Sequence, residues 1–244
     1  MERISAADLL EAWERGRHSS PGERGLLLLA LANPETPGEA LGAWSVGQRD
    51  AALLAMRERI FGPQLTGLAS CPQCNEALEM QFAVADILAS AGSDPPVKLG
   101  LTMEDYRVAF RLPNAGDVAA LAGAKGQPGL DRWLLERCII EAWREDAPCA
   151  VVNLPDKMLE AITAAMAEAD PQAEVELSLR CLMCGNRWLA PFDVVSFLWR
   201  EIDTLATRIL REVHQLASAY GWSEREILAL SPWRRRHYLE LIAQ

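Results

Sequence analysis

No stretch of this chain is apolar for long enough to cross a bilayer. The longest unbroken apolar run, Leu26 to Ala32, is seven residues, against the roughly 18 to 20 that a spanning helix needs. No basic, apolar and small-residue segments combine into a secretory signal, because Met1 to Arg17 is charged and amphipathic. A soluble, cytoplasmic protein beginning near Met1 is the expectation. Histidine is scarce: His18, His214 and His237 are scattered over three segments, and none sits in a serine or carboxylate pattern that suggests a triad. HExxH, a Walker loop and a glycine-rich dinucleotide turn are all missing. No catalytic residue and no small-molecule substrate are expected. Positive charge is also short, with 24 Lys and Arg against 34 Asp and Glu, a net −10. Such a surface repels a phosphate backbone, so nucleic acid is not an expected partner.

What the chain does have is cysteine in a pattern. Four of its six cysteines form two CxxC pairs, Cys71-Pro-Gln-Cys74 and Cys181-Leu-Met-Cys184. Without a secretory signal, such pairs point to metal or redox chemistry instead of a disulfide framework. Two claws of two thiolates fill the four positions of tetrahedral zinc and leave none for water, so one structural Zn2+ per chain is expected. A redox CxxC, a ribbon that has lost its metal and coincidence stay open as alternatives. A redox motif would open a helix in a βαβ setting, and neither pair does. Cys138, on an apolar helical face, and Cys149, after Pro148, have no partner at ligand spacing.

Each claw abuts a two-residue alternation. Leu78, Met80, Phe82 and Val84 follow the first, and Val175, Leu177 and Leu179 precede the second, so both read as half-buried strands. Gly185 offers a turn, and Trp188 begins a return segment that Pro191 stops. Between the claws, Tyr106–Leu112 reads as a strand, Asn114 and Asp117 as a helix start, and Leu130–Trp143 and Pro155–Ala169 as helices. Gly92–Pro96 and Gly123–Gly129 read as loops. Ser5 with Asp8, Ser20 before Pro21, and Ser45 should open three amino-terminal helices. After Pro191, apolar residues from Phe192 to Leu216 recur every three to four positions as one long helix, followed by two short helices opened by Ser223 and Ser231.

The expected fold is therefore α+β and mostly helical, with a four-cysteine zinc ribbon split by a large insertion. Its stretches are an amino-terminal helical region (1–64), the first ribbon half (65–90), a mixed α/β insertion (91–173), the second ribbon half (174–191) and a carboxy-terminal helical region (192–244). Tryptophan is plentiful, at eight residues. Trp222 and Trp233, with Arg234, Arg235, Arg236 and Tyr238, pair aromatic anchors with guanidinium groups as interface hot spots do, and are the candidate partner-binding residues. Their bland reading is a solvated helix face or a closing element of the core.

Three stretches carry a resemblance. Leu53-Leu-Ala-Met-Arg-Glu-Arg-Ile-Phe-Gly-Pro63 runs into the first claw, Phe110-Arg-Leu-Pro-Asn114 is followed by Asp117, and Tyr220-Gly-Trp-Ser-Glu-Arg-Glu-Ile-Leu-Ala-Leu230 runs into Arg234-Arg-Arg-His-Tyr-Leu239. Together these resemble the baseplate hub assembly chaperone family of T-even-type contractile-tail phages and its relatives in contractile injection clusters, over residues 45–84, 106–121 and 174–244. The resemblance implies a non-enzymatic assembly factor or minor component of a phage-tail-like particle. Its partners would be baseplate or hub proteins, and it would reside in the cytoplasm or in the particle. The competing class is a zinc-ribbon nucleic-acid-binding or regulatory protein, which needs a basic surface. Around the claws Arg180 and Arg187 face Glu76, Glu79, Glu174 and Glu176, so charge argues against it.

Overall fold

A computed structural model describes residues 4–88, 95–121 and 129–242. The expected loops Gly92–Pro96 and Gly123–Gly129 fall mostly outside these residues, as do the first three and last two positions. More than half of the described residues are helical, so the fold is α+β and mostly helical, as the periodicities predict. The chain divides into two compact units, Ser20–Val195 and a smaller one made of Met1–Ser19 with Ser196–Gln244.

In the larger unit, two helices begin where the capping serines direct. Helix α2 (Pro21–Ala32) has Ser20 as its cap in a reciprocal box with Glu23, and α4 (Val46–Phe61) has Ser45 in the same arrangement with Gln48. The short α3 (Gly38–Gly42) lies between them. Gly22, Gly25, Leu28, Leu29 and Ala32 form the buried stripe of α2, which packs on α4 and on α6 (Ala115–Ala120). Fully burying a leucine stabilises by about 1.5–3 kcal/mol, and Leu28, Leu29, Leu53 and Leu54 are all essentially inaccessible.

A second core lies on an antiparallel sheet of β3 (Leu99–Met103), β4 (Tyr106–Phe110), β5 (Ile139–Arg144) and β6 (Ala147–Pro148), in that order. Val108, Phe110, Cys138 and Ala142 meet Met158, Ile162 and Met166 of α8 (Asp156–Ala169) there. One expectation is corrected here. The helical reading of Leu130–Trp143 ends early, because α7 stops at Cys138 and the chain continues as β5. Ile139 and Ile140 are β-branched and stiff in a helix, and β4 offers an edge that β5 joins from Ile139 to Arg144. Strand β3 and the brief β6 add to the one strand expected at Tyr106–Leu112.

The remaining strands form two separate hairpins, β1 (Gln64–Ser70) with β2 (Ala77–Ala83) and β7 (Glu176–Arg180) with β8 (Arg187–Pro191). A short α5 (Val84–Ile87) follows the first hairpin.

The smaller unit contains α1 (Ala6–Gly16), the 27-residue α9 (Val194–Tyr220) from Ser196 onward, α10 (Glu224–Ala229) and α11 (Pro232–Ile242). Leu9, Leu10 and Trp13 of α1 are buried, and the Trp13 indole Nε1 donates to Asp203 Oδ1 at 2.7 Å. Ile202, Ala206, Ile209, Val213 and Leu216 give α9 its buried stripe, the three-to-four repeat of a helix dry on one side.

Candidate metal centre

Each CxxC occupies the turn of a hairpin, and the two turns are built alike. In the first, Cys71 N donates to Glu76 O (2.9 Å) and Asn75 N to Cys71 O (2.9 Å). In the second, Cys181 N donates to Asn186 O (2.8 Å) and Gly185 N to Cys181 O (3.0 Å). The residue after each second cysteine turns left-handed, Asn75 at φ 62° and Gly185 at φ 75°. Glycine, and next to it asparagine, reaches that region at least cost. The tight turn sends both sulfurs of a claw to one side.

The claws face each other. Cys71 Sγ lies 3.6 Å from Cys184 Sγ, and Cys74 Sγ 3.6 Å from Cys181 Sγ. All four sulfurs fall within 4.8 Å of one another. Zinc–sulfur bonds of about 2.3 Å in a tetrahedron set the sulfurs about 3.8 Å apart. The donor set and its dimensions thus fit one closed four-sulfur site, and these four cysteines could hold a metal ion. All are free thiols. Cys71 and Cys181 are buried, while Cys74 and Cys184 are exposed, so one side of the cluster opens to solvent.

The thiols perturb one another. Burial works to raise the Cys71 thiol, but the backbone amides of Cys74 and Gln73 and the neighbouring thiols outweigh it and hold it down at about 6. At Cys74 the Glu76 amide lowers the thiol, yet hydrogen bonds with Cys184, burial and the other two cysteines push it up to about 12. Cys184 is also raised, against the lowering pull of the Asn186 amide. The Cys71 thiolate is favoured while those of Cys74 and Cys184 are opposed, the situation a divalent cation relieves by neutralising charge.

The other cysteines stand elsewhere. Cys138 is buried at the end of α7, where desolvation pushes its thiol up to about 11, and Cys149 is half-buried with Sγ donating to Ala150 O at 3.5 Å. Strand β1 carries no alternation in sequence, because Gly67 and Ala69 occupy its inward positions and leave only Leu65 as a marked apolar residue. It completes the first hairpin in register, from Gln64 opposite Ala83 to Ser70 opposite Ala77.

The carboxy-terminal candidates separate. Trp222 stacks on Tyr220 at 4.7 Å and meets Tyr238 edge-on at 4.9 Å. Trp233 is 73% exposed and stacks on His237. Arg234 and Arg236 are exposed, and Arg236 pairs with Glu240. Arg235 does not share that surface. It is 4% exposed and donates to Glu212 Oε2 (3.2 Å) and Leu230 O (2.8 Å).

The stretch Phe110–Asn114 with Asp117 builds a polar lock. Asp117, capping α6 with Asn114, accepts from Arg111 Nη1 and Nη2 (2.5 and 3.0 Å) and from Arg137 Nε (3.1 Å). Burial would raise the Asp117 carboxyl, but these guanidiniums and the Asn114 amide hold it below the usual carboxylate range.

Among the described residues no helix is long and apolar enough to cross a membrane. No curated protein and no solved structure matches the chain. The family model of the T4 bacteriophage base plate protein matches residues 26–199, a span that contains all four clustered cysteines and ends four residues beyond the larger compact unit. On that match, the chain belongs to the T4 bacteriophage base plate protein family.

Proposed function

We propose that this chain is a non-enzymatic assembly factor or minor structural component of the baseplate or hub of a contractile, phage-tail-like particle. A zinc ribbon would tie together its distant β-hairpins. The family match across residues 26–199 is the observation that carries the assembly reading, and the four-sulfur cluster supports the metal. Cys71, Cys74, Cys181 and Cys184 would hold one Zn2+. With four protein ligands no position remains for water or substrate, so the ion would serve as a cross-link between chain segments. In this reading the domain scheme of ribbon halves at 65–90 and 174–191 enclosing an inserted 91–173 describes how the site is assembled in sequence. Its partners are other baseplate or hub proteins, met in the cytoplasm or within the particle.

The exposed part of the carboxy-terminal cluster, Trp233 with Arg234, is the candidate contact of the smaller unit, because an indole left in water gains most from a partner's pocket. Deleting the gene in a strain that makes the particle, and complementing it with the tagged full chain, tests the function. Loss of assembled particles, their restoration on complementation and co-purification of baseplate proteins with the tag are expected. Normal particles in the deletion strain would contradict the reading.

A further inference from the structure

Although the two claws share a backbone, their outward residues differ in kind. Between the cysteines the first carries Pro72 and Gln73, while the second carries Leu182 and Met183, 89% and 74% exposed. Below that tip, Arg180 and Arg187 stand directly opposite each other in the β7–β8 register, both on the solvent face. Leu189, 60% exposed, is next along the same face of β8. Like charges facing each other across a strand pair destabilise it. Among the described residues neither arginine has an ion-pair partner. The hairpin thus keeps two unpaired guanidiniums and three solvent-facing apolar side chains that do nothing for its own stability, in a chain of net charge −10.

Resting on the baseplate reading, we infer that the second claw, Leu182 and Met183 over Arg180, Arg187 and Leu189, is a docking surface for another baseplate protein that presents carboxylates around an apolar slot. Charge complementarity selects such a partner: the two guanidiniums need anions to relieve their repulsion, and the leucine–methionine tip needs a dry pocket. Methionine and leucine adapt to such a pocket. A nucleic acid fits less well, because single strands are held by stacking on exposed aromatics. Trp188 is half-buried on the opposite, inward face of β8. The turn that displays the tip is closed by Cys181 and Cys184, so filling the metal site would fix the docking surface in place.

The test titrates the purified full chain, its zinc content measured, against each individually purified baseplate protein of the same particle and against a poly-dT oligonucleotide. Arg180→Glu and Arg187→Glu, made separately, are expected to keep zinc and to leave the thermal midpoint equal or higher, since each turns a repulsive pair into an attractive one. Each should weaken binding to one baseplate protein about tenfold or more. The paired change Leu182→Ser with Met183→Ser should do the same while sparing the cysteines. Wild-type binding to a baseplate protein that none of these changes alters overturns the surface and leaves the baseplate reading standing. If no baseplate protein binds the wild type, both fall. Binding of the oligonucleotide alone, abolished by the arginine changes, would assign the surface to nucleic acid and overturn the proposal.

Discussion

Cys71 Sγ lies 3.6 Å from Cys184 Sγ although the two stand 113 positions apart in the chain. Two hairpins distant in sequence therefore meet at their turns, and the contact is made of thiols, which offer one another little. Weak S–H donors do not repay the entropy of closing so long a loop, whereas a shared cation does. It follows that Cys71→Ser and Cys181→Ser should each abolish stoichiometric metal binding and lower the thermal midpoint. Cys138→Ser and Cys149→Ser should leave metal content unchanged, because both lie outside the cluster. Loss of metal in either of the latter variants would mean the ligands are misassigned.

A second prediction concerns the start of α4. Gly47 N donates to the buried Asp170 Oδ2 at 2.9 Å, and a Cβ at Gly47 would come within 1.9 Å of Asp170 Oδ1. Gly47→Ala should displace that carboxylate and cost about 2–3 kcal/mol in urea unfolding. Gly38→Ala, where a Cβ meets nothing within 4 Å, should be close to neutral.

The Asp117 lock predicts acid sensitivity. Its carboxyl is depressed in the folded chain, so its stabilising contribution is complete above the ordinary aspartate range, near pH 4. That contribution is lost as pH falls through the lower folded value. Asp117→Asn should destabilise by about 2 kcal/mol at neutral pH, less than for a fully buried pair, because Arg111 and Arg137 reach solvent. The gap between wild type and variant should narrow below pH 4. A gap that does not change with pH would show that charge is not what Asp117 contributes.

Buried Arg235 and exposed Trp233, two residues apart, predict opposite phenotypes. Arg235→Ala strips the buried partner from Glu212 and should cost about 2 kcal/mol of stability in the smaller unit. Trp233→Ala, on the surface, should leave the unfolding free energy within about 0.5 kcal/mol of wild type while reducing particle yield. If Trp233→Ala instead unfolds the chain, or leaves assembly untouched, the smaller unit's contact lies elsewhere.

Periodicity and capping made most of the helices legible from sequence. The helix starts read at Ser5, Ser20, Ser45, Asn114 and Ser223 are all present, each in a reciprocal capping box with the residue three positions on. The claws were legible because CxxC is a local pattern whose geometry its own backbone sets. Strand β1 was not, since Gly67 and Ala69 carry too little side chain to mark a face. Nor was the break at Cys138, where an amphipathic helix pattern yields to a strand because β4 supplies a neighbouring edge, a tertiary fact. Arg235 shows the same limit: three adjacent arginines look alike in sequence, and only the position of Glu212 on α9 decides which one turns inward.

Elemental analysis of the purified full chain, prepared under reducing conditions, tests the four-thiolate centre most directly. One zinc per chain is expected, lost in Cys181→Ser, with a thermal midpoint that falls when a strong chelator removes it. A chain free of metal, whose midpoint neither the chelator nor Cys71→Ser moves, would contradict it.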